Sequence, residues 1–264
     1  MVDTPLMFTI QLAQEVGRLL LEYFQIDNLE ARLKSDRSLV TQADLEANQR
    51  IAAAIRGKYP DEFMLSEEMQ PGEPGLGPAE GQPAWIIDPL DGTTNFSLGL
   101  HYWGVLLARL AHGWPELAVM YFPAIDELYY AVSGQGAYLN DKPMRIKPPE
   151  ANRPLSFFAC CSRTYRSYQV SVPYKTRILG SAAYTLCTVA RSTAILGFEA
   201  TAKIWDLAAP WLLVCEAGGV IETLDGSQPF PLVAGMDYSA QSFPILAAAN
   251  PEIAGRAHQQ IKPK

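Results

Sequence analysis

Trp85-Ile86-Ile87-Asp88-Pro89-Leu90-Asp91-Gly92-Thr93-Thr94-Asn95-Phe96 is the stretch on which the reading of this chain turns. Its three leading apolar residues predict a short buried strand that stops at Asp88-Pro89, since proline cannot donate to a sheet ladder. Asp88 and Asp91 follow three apart at the strand end, with Pro89 fixing the chain between them and Gly92 permitting a tight turn, so both carboxylates can converge on one point. Thr93-Thr94-Asn95 can then open a helical turn whose free N–H groups face the same point and suit an anion. Carboxylates beside an anion cradle require cations between them. Hard oxygen ligands with no His or Cys nearby select Mg²⁺, Mn²⁺ or Ca²⁺. Read alone, the two acids are equally the caps of a turn, because Asp-Gly is a common turn dipeptide.

Upstream, apolar residues at Leu6, Ile10, Ala13, Leu20 and Phe24 recur every three or four positions and predict an amphipathic helix. Thr41-Gln42-Ala43-Asp44 reads as a capping box that opens a second helix to about Lys58. A strand from Phe63 to Leu65 leads into Ser66-Glu67-Glu68, and the Gly- and Pro-rich run 70–83 reads as a surface loop. Downstream, the runs 103–110, 116–122, 127–132, 137–139 and 144–147 are separated by turn signals and predict an antiparallel, hairpin-rich sheet. After Pro148-Pro149 the pattern alternates: strands at 155–159 and 177–179, a helix at 182–191, a strand at 195–200, a helix at 206–217 and a strand at 220–223. That alternation predicts an α/β second half.

Composition removes several classes of function. The 264 residues are 48% hydrophobic and 19% charged, which excludes a disordered chain. Lys plus Arg (21) against Asp plus Glu (28) leaves −7, so neither nucleic acid nor an anionic membrane is an expected partner. Cys160, Cys161, Cys187 and Cys215 lack C-x-x-C spacing, and His101, His112 and His258 are scattered, which excludes a zinc finger. The cysteines read as core residues of a protein in a reducing cytoplasm. No basic region opens the chain, and its longest apolar run, 207–221, is broken by Pro210, Glu216 and Gly218-Gly219, so no membrane span is expected.

Three further acids stand at element boundaries: Asp44 in its capping box, Glu67 at a strand end and Asp206 at a helix start. Singly each has a plain reading as a cap or a solvated charge. As an ordered set with Leu39-Val40-Thr41, Glu67-Glu68, the Asp88-to-Phe96 stretch, Gly134-x-Gly136-Ala-Tyr-Leu-Asn140, Gly180-Ser-Ala-Ala183, Glu199 and Trp205-Asp206-x-Ala-Ala209, they resemble the inositol monophosphatase family of metal-dependent, lithium-sensitive phosphatases. The resemblance covers nearly the whole chain. It implies an αβαβα sandwich, with an antiparallel sheet in the N-terminal half and a mixed sheet in the C-terminal half. It divides the chain into an α+β lobe (1–150) and an α/β lobe (151–264) packed as one unit, and it implies a homodimer.

The resemblance also assigns roles. Glu67, Asp88 and the carbonyl of Leu90 would hold a first Mg²⁺, and Asp88, Asp91 and Asp206 a second. A third, looser ion would lean on Glu67, and Mn²⁺ could substitute. Thr93, supported by Asp44, would orient the attacking water, with Glu67 beside it, while N–H groups of Gly92 and Thr93 would hold the phosphate. Gly180, Ser181, Ala182 and Glu199 would surround the alcohol of a small phosphorylated polyol or sugar, for which a carboxylate able to accept from two hydroxyls is suited. Thr94-Asn95-Phe96 fits the inositol 1-phosphate type. Fructose 1,6-bisphosphate and histidinol phosphate remain as alternatives, and 3′-phosphoadenosine 5′-phosphate or a non-catalytic metal-binding role fit less well. The chain departs from the family pattern at Ser66, at Pro210 and in the spacing around Lys34. Pro210 requires the helix to begin very near Asp206, since proline is tolerated only in a first turn.

Overall fold

Sequence periodicity switches between helical and strand spacing along the chain, and the elements follow it. The computed structural model describes residues 4–24, 31–33, 39–68, 76–147 and 156–264. Lys34 and the lobe boundary at residue 150 lie outside the described residues, as does part of the 70–83 loop.

Helix α1 (Pro5–Phe24) buries Leu12, Ala13, Val16, Gly17 and Leu20 along one stripe. A small ribbon, β1 (Ala31–Leu33) with β2 (Leu39–Thr41), leads into α2 (Gln42–Lys58). A seven-stranded sheet follows in spatial and sequence order: β3 (Phe63–Ser66), β4 (Ala84–Asp91), β5 (Gly104–Ala111), β6 (Trp114–Phe122), β7 (Glu127–Val132), β8 (Gly136–Leu139) and β9 (Lys142–Met144). It is antiparallel except for the β3–β4 pair, which the 17-residue gap between them allows to run parallel. The one-turn helix α3 (Thr93–Ser97) follows β4.

The second half contributes β10 (Phe157–Cys160), α4 (Thr164–Ser167), β11 (Tyr168–Val170), β12 (Lys175–Arg177), α5 (Ala182–Ala190), β13 (Ala194–Ala202), α6 (Ile204–Glu216), β14 (Val220–Thr223), β15 (Phe243–Ala248), α7 (Pro251–Gln260) and β16 (Ile261–Pro263). The five-stranded sheet has the order β12-β10-β13-β15-β14, parallel across the first three strands and antiparallel across the last three.

Alternation along the strands builds the layers. Trp85, Ile87, Leu107 and Val119 pack against α1 and α2, while Ile86, Leu106 and Met120 face α5 and α6 on the other side. Ile245 and Ala247 close α5 and α6 from the second sheet, whose far face, with Phe198, Leu246 and Ala248, packs on Ile253 and Ala257 of α7. The order is therefore αβαβα, with a central core drawn from both halves of the chain. Each large apolar side chain buried this way contributes roughly 1.5 to 3 kcal/mol.

Several expectations change. The 144–147 strand is Lys142–Met144, the 177–179 strand is Lys175–Arg177, and β15 and α7 were not anticipated. Strand β4 does not stop at Asp88 but runs on to Asp91. Helix α6 begins at Ile204, so Pro210 lies beyond the first turn, inside the helix. Its missing N–H leaves the Asp206 carbonyl without its usual helical donor. Of the cysteines, Cys160 and Cys187 are buried, Cys161 is half-buried and Cys215 is exposed, and all four are free thiols.

Candidate metal centre and active site

Strand β4 delivers two carboxylates to one side through an irregularity. Its register with β5 pairs Asp88 with Leu106 but Asp91 with Gly104, so three steps on one strand match two on the other. The extra residue is a β-bulge at Pro89-Leu90, a place where a proline without a ladder donor is tolerated. Side chains alternate along a strand, so residues three apart normally face opposite sides. Here the bulge turns Leu90 into the core beneath α1 and α2, and both Asp88 and Asp91 line the same cavity.

That cavity has a volume of about 620 Å³ and opens between the two sheets. Carboxylate oxygens of Glu67, Asp88 and Asp206 lie within 4.8 Å of one another. Asp88 Oδ1 accepts from the Leu90 N–H at 3.0 Å, whereas Oδ2 is buried without a hydrogen-bond partner. Asp206 Oδ2 accepts from the Lys203 N–H at 2.7 Å. Burial raises the Asp88 pKa well above the ordinary value, and the charges of Glu67, Asp91 and Asp206 add to it. Asp206 is raised by desolvation and by Asp91 and Glu67. A triad of acids, one of them carrying a buried carboxylate oxygen without a hydrogen-bond partner, could hold a metal ion, whose charge would reverse this repulsion.

Asp91 stands apart from the triad. Its Oδ2 accepts from the Ser181 hydroxyl and from Ala183 N–H at 3.1 Å, and its Oδ1 from Ala182 N–H at 3.2 Å, so it caps α5 from a neighbouring strand. Burial pushes its pKa up to about 6, against the pull of those hydrogen bonds.

Thr93 follows Gly92, whose φ of 86° is a left-handed conformation and whose missing Cβ would meet the Tyr102 carbonyl at 2.8 Å. The Thr93 hydroxyl lies 3.2 Å from Asp44 Oδ1 and 3.1 Å from the Leu90 carbonyl. Asp44 Oδ2 meanwhile accepts from Thr41 N–H at 2.8 Å in the capping box of α2. One carboxylate thus caps a helix and supports a cavity hydroxyl. Glu199 on β13 is 5% exposed, and burial pushes its pKa up to about 8. Gly180, Ser181 and Ala182 line the wall beside it.

Every site residue singled out in the sequence, except Asp44 beneath Thr93, borders this one cavity. Cys161, Ser162, Arg163 and Thr201 border it as well and were missed. Cys161 to Arg163 follow the end of a strand, as Glu67 does, but that position alone does not set them apart from other residues at strand ends. Asn95 was read only for its place in the motif, yet its Nδ2 donates to Tyr102 O at 2.7 Å and Leu179 O at 2.8 Å, joining the first sheet to the segment that opens α5.

Residues 2–262 match the model of the inositol monophosphatase family. The chain belongs to that family. A fructose-1,6-bisphosphatase/inositol-1-monophosphatase of Thermotoga maritima is 33% identical, with 84% of this chain and 85% of the relative covered. A Nus factor SuhB of Pasteurella multocida is also 33% identical, over 96% of this chain and 94% of its own length. A histidinol-phosphatase of Chlorobaculum parvum is 32% identical, over 84% and 87%. Among solved structures, the SuhB protein of Bartonella henselae superposes with a TM-score of 0.77 at 27% identity, covering 96% of both chains. Proteins of the inositol monophosphatase family are metal-dependent and act on small phosphorylated substrates, and this member carries an acidic cluster that could hold a metal ion. No helix among the described residues is long and apolar enough to cross a membrane.

Proposed function

We infer that this chain is a Mg²⁺-dependent phosphatase of small phosphate monoesters, with inositol 1-phosphate as its substrate. The observation that carries the reading is the Glu67, Asp88 and Asp206 triad, together with the unpartnered Asp88 Oδ2. Glu67, Asp88, the Leu90 carbonyl, Asp91 and Asp206 are the groups that would hold two or three Mg²⁺ ions, or Mn²⁺ in their place. When bound, such ions lower the pKa of a water and neutralise charge on the phosphate and the departing alkoxide. The Thr93 hydroxyl, by donating its hydrogen bond to Asp44 Oδ1 or Leu90 O, would keep a lone pair free to accept a hydrogen bond from the incoming water and so orient its oxygen. Gly92 and Thr93 would present N–H groups to the phosphate, a fit that the left-handed turn at Gly92 supports. Glu199 would accept from hydroxyls of a polyol, with Gly180, Ser181 and Ala182 shaping the wall.

A second reading is favoured by Arg163, the one cationic side chain among the described residues lining the cavity. Its Nη1 donates to Thr201 Oγ1 at 2.7 Å, which holds the guanidinium at the rim. A fixed guanidinium suits a second phosphate, so fructose 1,6-bisphosphate is the alternative substrate. Lithium inhibition and a homodimer complete the proposal. The test is phosphate release with Mg²⁺ from inositol 1-phosphate, fructose 1,6-bisphosphate, histidinol phosphate and 3′-phosphoadenosine 5′-phosphate. The highest kcat/KM is expected for the first. A clear preference for the bisphosphate moves the assignment to the second reading, and no Mg²⁺-dependent release from any of the four removes both.

A further inference from the structure

Glu67 sits on a turn after β3, where an unsupported glutamate would sample several rotamers. Its backbone is held from three directions. Glu67 N–H donates to Ile87 O of β4 at 3.1 Å. On one side of it, the Ser66 hydroxyl donates to Asn48 Oδ1 at 2.7 Å. On the other, Asn48 Nδ2 donates to the Glu68 carbonyl at 2.7 Å. Glu68 N–H closes the loop onto Ser66 Oγ at 3.3 Å. A single amide side chain on α2 therefore brackets Glu67, touching the residues before and after it and using both its donor and its acceptor.

Asn48 lies four residues after Asp44, and residues four apart share one helix face. Asp44 meets Thr93 and Asn48 meets the Glu67 turn, so one face of α2 sets the positions of two separate parts of the cavity. Helix α2 is itself pinned, with Ala43, Ala47, Ile51 and Ile55 fully buried.

We propose that Asn48, acting with Ser66, is a positioning residue for Glu67, holding its carboxylate in the triad so that the cation site is preformed. The proposal rests on the reading of the triad as a metal centre. Groups that orient a ligand without touching the metal typically govern its affinity, and their loss costs about 10- to 100-fold.

The experiment is calorimetric titration of Mn²⁺ alone into the wild-type chain and into Asn48→Ala, Ser66→Ala, Glu67→Gln and the Glu67→Gln/Asn48→Ala double variant. Asn48→Ala is expected to weaken Mn²⁺ binding about 10-fold in the wild-type background and to add nothing in the Glu67→Gln background, because the bracket then has no ligand to place. Should Asn48→Ala fail to fold, Ser66→Ala, which removes one arm of the bracket, is read with its own Glu67→Gln double variant in the same way. Affinity within about twofold of wild type, or an equal loss in both backgrounds, overturns the proposal while leaving the metal centre standing. A wild-type chain that binds no Mn²⁺ overturns both.

Discussion

The Thr93 hydroxyl has one proton and two acceptors in reach, Asp44 Oδ1 and the Leu90 carbonyl, so whichever takes it, the oxygen's lone pair is left for the cavity. A group used this way acts on the transition state and little on the bound ester. Thr93→Ala is expected to lower kcat by about 10²-fold or more with KM nearly unchanged, measured as steady-state phosphate release. A change confined to KM would make Thr93 a binding residue. Glu199 offers a complementary contrast. Assayed at about pH 9, above the raised Glu199 pKa of about 8, Glu199→Gln removes a charge-assisted acceptor worth roughly 1.5 to 3 kcal/mol, about 10- to 100-fold in kcat/KM, from substrates that donate to it. Inositol 1-phosphate should suffer that loss and glycerol 2-phosphate much less; equal loss on both would show that Glu199 supports structure. At this scale the sequence was informative because several acids stand at element ends as one ordered set, although each singly reads as a cap or a solvated charge. Asp44 was legible twice, as cap and as support, and the structure assigns one oxygen to each. Arg163 was not legible, since a lone arginine after a strand looks like any solvated charge until Thr201, 38 residues away, is placed beside it.

Among the elements, β4 shows where pattern reading ran out. Its apolar run and its proline were visible, and a strand ending at the proline was the natural inference. What the pattern could not show was the partner strand, and only the pairing with β5 reveals that the proline occupies a bulge. Pro210 failed for a related reason: proline predicts a helix start, but burial of Ile204, Trp205, Leu207 and Pro210 itself against both sheets outweighs one lost hydrogen bond. Helix α7 was overlooked although Asn250-Pro251 is a capping pair, with Asn250 Oδ1 accepting from Ile253 N–H at 2.9 Å. Asp91 changes meaning once α5 is seen. Asp91→Asn keeps the shape of the side chain, but an amide cannot accept on both its atoms as this carboxylate does. The variant is expected to lose most Mg²⁺-dependent turnover and also about 1 to 3 kcal/mol of stability in urea denaturation of the metal-free protein. A loss of turnover with unchanged stability would mean that α5 does not depend on this cap.

Seen whole, the molecule concentrates acidic side chains between its two sheets. Asp88, Asp91, Asp206 and Glu199 all have raised pKa values, Asp91 about 6 and Glu199 about 8, so the folded state holds protons that the unfolded chain releases at lower pH. Stability then falls as pH rises from about 4, where unfolded carboxylates titrate, toward 8. The metal-free protein is expected to melt at a higher temperature at pH 5.5 than at pH 8, and Mg²⁺ should raise the melting temperature more at pH 8, where it replaces the missing protons. Scanning calorimetry with and without EDTA checks both signs; a metal-free protein most stable at pH 8 would refute the account. The alternation of helical and strand periods made a hairpin-rich first half and an α/β second half legible, while the αβαβα layering followed only from the family resemblance; β15 was hidden in a short run, Phe243–Ala248, whose length fits either element. One further consequence follows from how the carboxylates are anchored. The amides of Ala182 and Ala183 donate to Asp91 and that of Lys203 to Asp206. These three N–H groups are therefore built-in antennae: in a ¹⁵N-labelled sample their resonances would track the charge state of the cavity from the starts of two different helices, and would tell a proton from a cation without any substrate present.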